Sequence, residues 1–366
     1  MKVLVTGSNG FIGKNLATQL AVRGDFEILH YNRESTPDGL RLAVEKADFI
    51  CHMAGVNRPE NVDEFARINT GLTETLCHTV QKSGRHVPII FASSVHVEQD
   101  NPYGASKLAA EQALLTHSEK TGIPVYIFRL PHVFGKWGKP DYNSVVATFC
   151  YNIAHDLPIQ IDDSSYSLNL VYIDDLVATF VRIMVGNEAA SCEVEPSYTI
   201  SVGELADQIR AFRASRGTLV SERVGDGLIR ALYSTYVSYL SPKDFAYEVP
   251  NHADSRGVFV EMLKTRDSGQ FSFFTAYPGV TRGGHYHHSK TEKFLVVKGN
   301  ARFRFRHTLT QEFHEVLTSG DKPEIVETIP GWSHDITNVG DDEMIVMLWA
   351  NEIFDRDRPD TYADPV

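Results

Sequence analysis

Sulfur is scarce in this sequence: 366 residues hold four cysteines, Cys51, Cys77, Cys150 and Cys192, and none follows Cys192. No pair has CxxC spacing, and a chain of this length buries its own core without covalent staples. A disulfide scaffold is excluded, and a reducing compartment is expected. Positive charge is short as well, with 35 Lys and Arg against 47 Asp and Glu and a formal net charge of -12. With no basic run either, nucleic acid is excluded as a partner. No apolar stretch approaches the ~20 residues that cross a bilayer, so no membrane insertion is expected. The opening MKVLVTG enters a strand pattern directly, without the apolar region and cleavage site of a secretory signal. The expected location is cytoplasmic. Repeats and low-complexity segments are missing too. What remains, 42% hydrophobic and 22% charged residues, is an ordinary globular mixture, long enough for two domains.

Two textures divide the chain. Up to about Tyr198, strand-like runs (Lys2–Thr6, Phe26–Tyr31, Phe49–Met53, Pro88–Ser93, Val125–Leu130) alternate with helical spacings (Phe11–Ala21, Leu40–Ala47, Glu64–Gln81, Ser106–Thr121). Such alternation predicts βαβ units and a Rossmann-type parallel sheet. Ser201–Arg213 reads as another helix, with Ser201 and Glu204 spaced as a capping box. Beyond about residue 250 only short strand-like runs remain, separated by turns carrying Gly279, Gly283, Gly284, Gly299, Gly320, Gly331 and Gly340. That texture predicts an all-β sandwich or small barrel. The boundary falls between Arg216 and Asn251, and the expected domains are 1–243 and 244–366. The Tyr/Ser-rich Tyr233–Leu240 reads as a linker or as the first arm of the second domain.

Gly7, Gly10 and Gly13 form G-x-x-G-x-x-G between the first strand and the first helix, with Phe11 and Ile12 inside the motif. Glycine lets the backbone turn sharply and lets a pyrophosphate approach the N–H groups of a positive helix end. The second strand ends Tyr31-Asn32-Arg33, without the carboxylate that NAD-preferring sites offer to ribose. Arg33 suits a 2′-phosphate, so NADPH is the expected cofactor. The alternative for Arg33 is a solvated surface arginine. Tyr103 and Lys107 are spaced Y-x-x-x-K at the opening of a helix, one turn apart on one face. A neighbouring ammonium lowers a phenol's pKa and lets it exchange a proton with a substrate oxygen during hydride transfer. Ser94, ending the preceding strand, is placed to hold the same oxygen.

With these residues in place, the first half resembles the extended short-chain dehydrogenase/reductases, which include nucleotide-sugar epimerases, dehydratases and reductases. The strand end His52-Met53-Ala54-Gly55, Asn69, the run from Arg129 to Gly135 and the Tyr172-Ile173-Asp174-Asp175 segment fit the same pattern. The resemblance implies Ser94, Tyr103 and Lys107 as the catalytic triad. It adds Asn32, Ala54, Gly55, Tyr103 and Lys107 to the cofactor contacts. Lys136, Lys139 and Asn143 stand where similar enzymes hold a sugar-nucleotide diphosphate; the alternative for the lysines is solvated surface. Two departures stand out. Only eight residues separate Ser94 from Tyr103, and the segment from Arg33 to Asp48 is compressed. Ser93 therefore stays an alternative to Ser94.

In the second half, His285 and His287 alternate as two residues on one strand face, Glu292 follows, and Pro330-Gly331-x-x-His334 precedes Asn338. Three imidazoles and a carboxylate are ligands for one divalent ion: zinc foremost, with iron, manganese and nickel also compatible. The spacing resembles both halves of the cupin signature, short by one residue after Pro330. The alternative is a metal-free cupin lined by the same residues. A second resemblance, in Asp254 to Glu261 and in Arg282-Gly-Gly-His285-Tyr286, is to deoxysugar-nucleotide epimerases built on a cupin barrel. It implies that Arg256 and Glu261 hold the nucleotide sugar and that His285 is the base. An imidazole nitrogen bound to metal cannot also accept a proton. With His285 as ligand, the base falls to another group, with His288, Lys293 and His307 as candidates.

Over nearly its full length the chain resembles a family of bacterial capsular polysaccharide enzymes that join these two folds. The stretches that carry this are His52 to Pro59, Asn101 to Gly104, Tyr142 to Val145, Tyr233 to Tyr236, Glu292 to Val297 and Pro359 to Tyr362. That resemblance implies a UDP-4-keto-6-deoxy-N-acetylhexosamine substrate, epimerised at C3 and reduced at C4, and a homodimer through the C-terminal domain. Three other readings remain: a plain reductase with a structural metal cupin for dimerisation, an iron oxygenase, and a non-catalytic NADP-binding protein.

Overall fold

Five of the apolar runs form one parallel sheet. β1 (Lys2–Thr6) pairs with β2 (Glu27–Tyr31) on one side and β3 (Phe49–His52) on the other; β4 (Ile89–Ser94) and β5 (Val125–Leu130) follow, giving the order β2-β1-β3-β4-β5. Val3, Leu4, Val5, Ile50, Cys51, Ile89, Ile90 and Phe91 are buried, as expected of strands covered on both faces. The helices between them are α1 (Phe11–Arg23), α2 (Pro37–Lys46), α3 (Gly71–Ser83) and α4 (Pro102–Thr121). The computed structural model describes residues 1–186, 192–249, 252–254, 257–259, 263–265, 269–352 and 357–366.

Local chemistry moves two helix starts upstream of the hydrophobic pattern. Thr36 accepts from the Gly39 N–H at 3.1 Å and Asn101 from the Gly104 N–H at 2.8 Å, each followed by a proline at the first helical position. Tyr103 consequently lies in the first turn of α4. The expected helix over 64–81 opens instead with a π-helical turn, Phe65–Thr70, which carries Asn69. The compressed segment between β2 and β3 has room for α2 alone, so the chain crosses β1 and the strand order reverses between β1 and β3. In an open parallel sheet the crevice at such a reversal, beyond the strands' carboxyl ends, is where ligands bind.

By internal contacts the chain divides into one unit of residues 1–144 and 169–199 and another of 145–168 and 200–366. The second unit holds two antiparallel five-stranded sheets. One runs Ala246–Glu248, Glu324–Glu327, Glu292–Lys298, Met344–Ala350, Gln270–Ala276; the other runs Phe313–Ser319, Asn300–His307, Trp332–Asn338, Thr281–Tyr286, Tyr362–Ala363. Phe294 from the first meets Phe303 from the second at 5.5 Å between ring centroids, within the buried layer. This is the all-β C-terminal fold that the texture predicted.

The capping box is present: Ser201 Oγ accepts from the Glu204 N–H, and Glu204 accepts from the Ser201 N–H, opening a helix that runs to Thr218. The Tyr/Ser-rich stretch differs from an open linker, because Gly227–Val237 is a helix whose last seven residues are buried. Its hydroxyls have partners, which makes that burial tolerable: Tyr233 donates to Glu327, Ser234 to the Ser289 carbonyl and Thr235 to the Ala231 carbonyl. All four cysteines are free thiols, and Cys51, Cys77 and Cys150 are buried.

Candidate active site and candidate metal centre

The glycine loop meets the end of β3. Gly7 has φ +66°, and a Cβ on it would lie 2.7 Å from the Ala54 backbone; one on Gly13 would lie 2.2 Å from the Gly7 carbonyl. Both contacts require glycine. Gly10 opens α1 with no side-chain cap, which leaves the N–H groups around Phe11, Ile12 and Gly13 to serve an anion. Thr6 Oγ1 accepts from the Ala54 N–H at 3.2 Å and bonds His52 Nδ1 at 2.6 Å, while His52 Nε2 bonds Thr73. Burial pushes the His52 pKa down to about 3, so this bridge is neutral and fixes Ala54 and Gly55 beside the loop. The Gly7 N–H donates to the Tyr31 carbonyl at 2.7 Å, bringing Asn32 and the exposed Arg33 to the same sheet end.

Ser94 and Tyr103 meet, and Lys107 follows one turn later on α4. Tyr103 shares a hydrogen bond with Ser94, and its ring lies between Phe65 at 5.8 Å and His96 at 6.0 Å. Burial raises the Tyr103 phenol above its ordinary value, partly offset by the Ser94 bond. Lys107 is buried; its ammonium donates to the Ala92 carbonyl at 2.8 Å and stands 4.7 Å from the Phe91 ring. Desolvation pulls its pKa down to about 8, against Glu111, which raises it. Ser93 points the other way, donating to Glu111 at 2.5 Å, where Arg129 also binds. Asn69 takes the Val56 N–H and donates to Ser106, tying the turn after Gly55 to α4.

The three expected diphosphate contacts part company. Lys136 is buried, with its ammonium 2.8 Å from Asp174. Lys139 is exposed, 5.0 Å over the Tyr142 ring, and Asn143 is exposed. Arg256 and Glu261 lie outside the described residues.

The four expected metal ligands form one cluster. A ligand atom from each of His285, His287, Glu292 and His334 lies within 4.8 Å of the others. His285 and His334 are directly paired across two antiparallel strands, and a bulge at Gly283 and Gly284 aims His285 at its partner. Glu292 Oε2 is 3.2 Å from His287 Nε2 and 3.5 Å from His334 Nε2. An ion with ligands at roughly 2.1 Å in tetrahedral geometry needs donors about 3.4 Å apart; the Glu292–His287 and Glu292–His334 pairs match this, and the other pairs lie within 4.8 Å. Both His334 ring nitrogens are buried, with Nε2 facing the Glu292 carboxylate, an arrangement that suits a metal ligand. Burial, with His334 and His287 close by, pulls His285 down to about 3, and burial also lowers His334, keeping both in the ligating neutral form. Burial opposes the Glu292 charge, yet His287 and His334 hold its carboxyl well below the ordinary value.

Of the three candidate bases, Lys293 turns away from Glu292 and bonds Glu327 at 2.5 Å; burial opposes its charge, but Glu327 keeps it a cation. His307 Nδ1 accepts from the Leu309 and Thr310 N–H groups. The His288 ring lies 4.8 Å from Tyr362. Motifs alone do not mark Lys290, whose ammonium is 3.1 Å from Glu292 Oε1 and which lies in the turn before the strand that Glu292 opens. Nothing in the sequence marked Asp174 as the partner of Lys136.

Residues 3–194 match the NAD dependent epimerase/dehydratase family, and residues 252–362 match the polysaccharide biosynthesis C-terminal domain. The UDP-2-acetamido-2,6-beta-L-arabino-hexul-4-ose reductase of Pseudomonas aeruginosa PA103 is 61% identical over 365 residues, 99% of this chain and 98% of that one. The capsular polysaccharide assembling protein CapF of Staphylococcus aureus is 42% identical, with a TM-score of 0.69 and full coverage of both chains. A UDP-glucuronic acid 4-epimerase from Bacillus cereus, 18% identical over 58% of this chain and 82% of its own with a TM-score of 0.52, shares the fold alone. The chain thus belongs to the NAD dependent epimerase/dehydratase family, among its CapF-like members.

Proposed function

We propose that the chain is a bifunctional nucleotide-sugar enzyme. Its N-terminal region, 1–243, reduces the C4 ketone of a UDP-2-acetamido-2,6-dideoxy-4-ketohexose with NADPH. Its cupin region, 244–366, epimerises C3 of that sugar, and the product is a UDP-6-deoxy-N-acetyl-L-talosamine for UDP-N-acetyl-L-fucosamine and capsule or O-antigen synthesis. One observation carries this reading: the chain holds both a hydrogen-bonded Ser94–Tyr103 pair, with buried Lys107 one turn further along α4, and a buried cluster of His285, His287, Glu292 and His334. The 4-keto sugar named for the 61% identical relative supports the substrate class.

Bound NADPH supplies the hydride. Ser94 and Tyr103 hold the ketone oxygen, and the raised phenol pKa keeps Tyr103 protonated near neutrality, as a proton donor for reduction must be. Lys107 remains largely an ammonium below pH 8 and offsets the charge left on Tyr103. Arg33 at the sheet end, with no carboxylate at the end of β2, favours NADPH over NADH. In the cupin region the 4-ketone acidifies the C3 proton. A divalent ion, zinc foremost, held by the four ligands would supply positive charge for that enolisation. Epimerisation alone is reversible; reducing C4 removes the acidity and locks the new centre. A homodimer through the cupin region is supported by Phe273 and Met347, paired across two strands with both side chains exposed. A cytoplasmic location accords with four free thiols.

The test is incubation with the UDP-4-keto sugar in deuterated water without NADPH, followed by NMR. Deuterium entering C3, and excluded by His334→Ala or by chelation, is the expected result. NADPH oxidation with no deuterium at C3 would reduce the protein to a ketoreductase with a structural cupin.

A further inference from the structure

The segment 357–366 runs against the His-bearing strand, with Tyr362 paired to Tyr286 and Ala363 to His285. Just before that pairing, Asp360 makes two kinds of contact. Its carboxylate accepts from three successive backbone N–H groups, those of His288 at 2.8 Å and of Ser289 and Lys290 at 2.7 Å each, and from the Ser289 hydroxyl at 2.9 Å. Its own carbonyl lies 2.5 Å from His287 Nδ1. A carbonyl oxygen can only accept, so Nδ1 carries the proton. His287 Nε2 is the nitrogen turned toward Glu292, at 3.2 Å, and the His287 and His334 rings lie 5.2 Å apart.

We propose that Asp360 is a positioning residue of the metal centre: its carboxylate locks the 288–290 turn, and its carbonyl fixes the His287 tautomer and ring direction that leave Nε2 as the ligand. This rests on the metal reading of the cupin cluster. Ligating histidines commonly depend on a partner at the second ring nitrogen. Here one residue supplies both that partner and the clamp that holds it. The turn needs such a clamp because His287, His288, Ser289 and Lys290 are all buried and water cannot satisfy their N–H groups. The same segment has a second attachment, from Arg306 to Asp364 and to the Pro365 carbonyl, both at 2.8 Å. That attachment holds the segment without touching His287, so it provides a control.

Metal-stripped full-length protein would be titrated with Zn²⁺ against a chromophoric chelator and, separately, with Co²⁺ followed by its visible absorption. Asp360→Ala is expected to weaken Zn²⁺ binding roughly ten- to a hundredfold and to change the Co²⁺ bands. Asp360→Asn, which keeps the shape and one acceptor oxygen, should fall between it and wild type and serves if the alanine variant does not fold. Arg306→Leu should stay within about threefold of wild type. Asp360 variants that match wild type in affinity and spectrum overturn the role, as does an Arg306→Leu loss equal to that of Asp360→Ala. Wild-type protein that takes up no ion overturns the metal reading itself, a separate result from uptake that Asp360 leaves unchanged.

Discussion

Ser93 Oγ donates to the Glu111 carboxylate at 2.5 Å, and Glu111 also binds Arg129. Adjacent residues on a strand face opposite ways, so this bond sends Ser94 to the other side, where it accepts from the His96 N–H and meets Tyr103. Ser94, the expected catalytic serine, and Ser93, its alternative, are thereby given different work. Ser94→Ala should lower kcat for ketone reduction by roughly 10²-fold, the usual effect of losing one donor to a developing oxyanion, with little loss of stability. Ser93→Ala should do the reverse and cost about 1–2 kcal/mol in denaturant unfolding, because buried Glu111 loses a donor. Equal kinetic losses in both variants would refute the assignment.

Lys107 gives a pH signature. Its pKa in the folded chain, about 8, lies below the ordinary 10.5, so between those values the unfolded chain binds more protons. Stability attributable to this residue therefore rises with pH across that window and is flat below it. Relative to Lys107→Met, wild type should gain about 2 kcal/mol between pH 8 and pH 10 in urea unfolding. A difference independent of pH would mean that Lys107 is not desolvated.

Binding one divalent ion at the His285–His334 cluster should stabilise the chain by about 2.7 kcal/mol at a hundredfold excess over Kd. Thermal unfolding with and without Zn²⁺ measures this, and His334→Ala should abolish the shift. A shift retained in that variant would place the ion elsewhere.

Glu327 is buried and accepts from Lys293, Tyr233 and Arg216. Glu327→Ala should destabilise the chain by about 3–5 kcal/mol, because buried Lys293 and partly buried Arg216 lose their anion. Adding Lys293→Met should recover part of that loss; a double variant as unstable as the sum of the singles would contradict a shared network.

Arg33→Ala should raise KM for NADPH by ten- to a hundredfold, the worth of a charge-assisted hydrogen bond, and leave KM for NADH nearly unchanged. Equal effects on both cofactors would remove Arg33 from 2′-phosphate recognition.

The sequence by itself determined the features set by neighbours along the chain. The alternation of strands and helices, the glycine loop, the one-turn spacing of Tyr103 and Lys107, the alternation of His285 and His287 and the Ser201–Glu204 capping box are local patterns with fixed periods. Helix starts were less legible, because Thr36 with Pro37 and Asn101 with Pro102 begin α2 and α4 ahead of the apolar spacing. Tertiary structure alone decided what depends on distant partners. It separated Ser93 from Ser94 through Glu111, buried Lys136 against Asp174, and turned Lys293 to Glu327. It also brought Asp360 onto the turn beside His287, 73 positions away. A side chain's charge state and direction follow from what surrounds it in space, and periodicity along a chain carries no record of that.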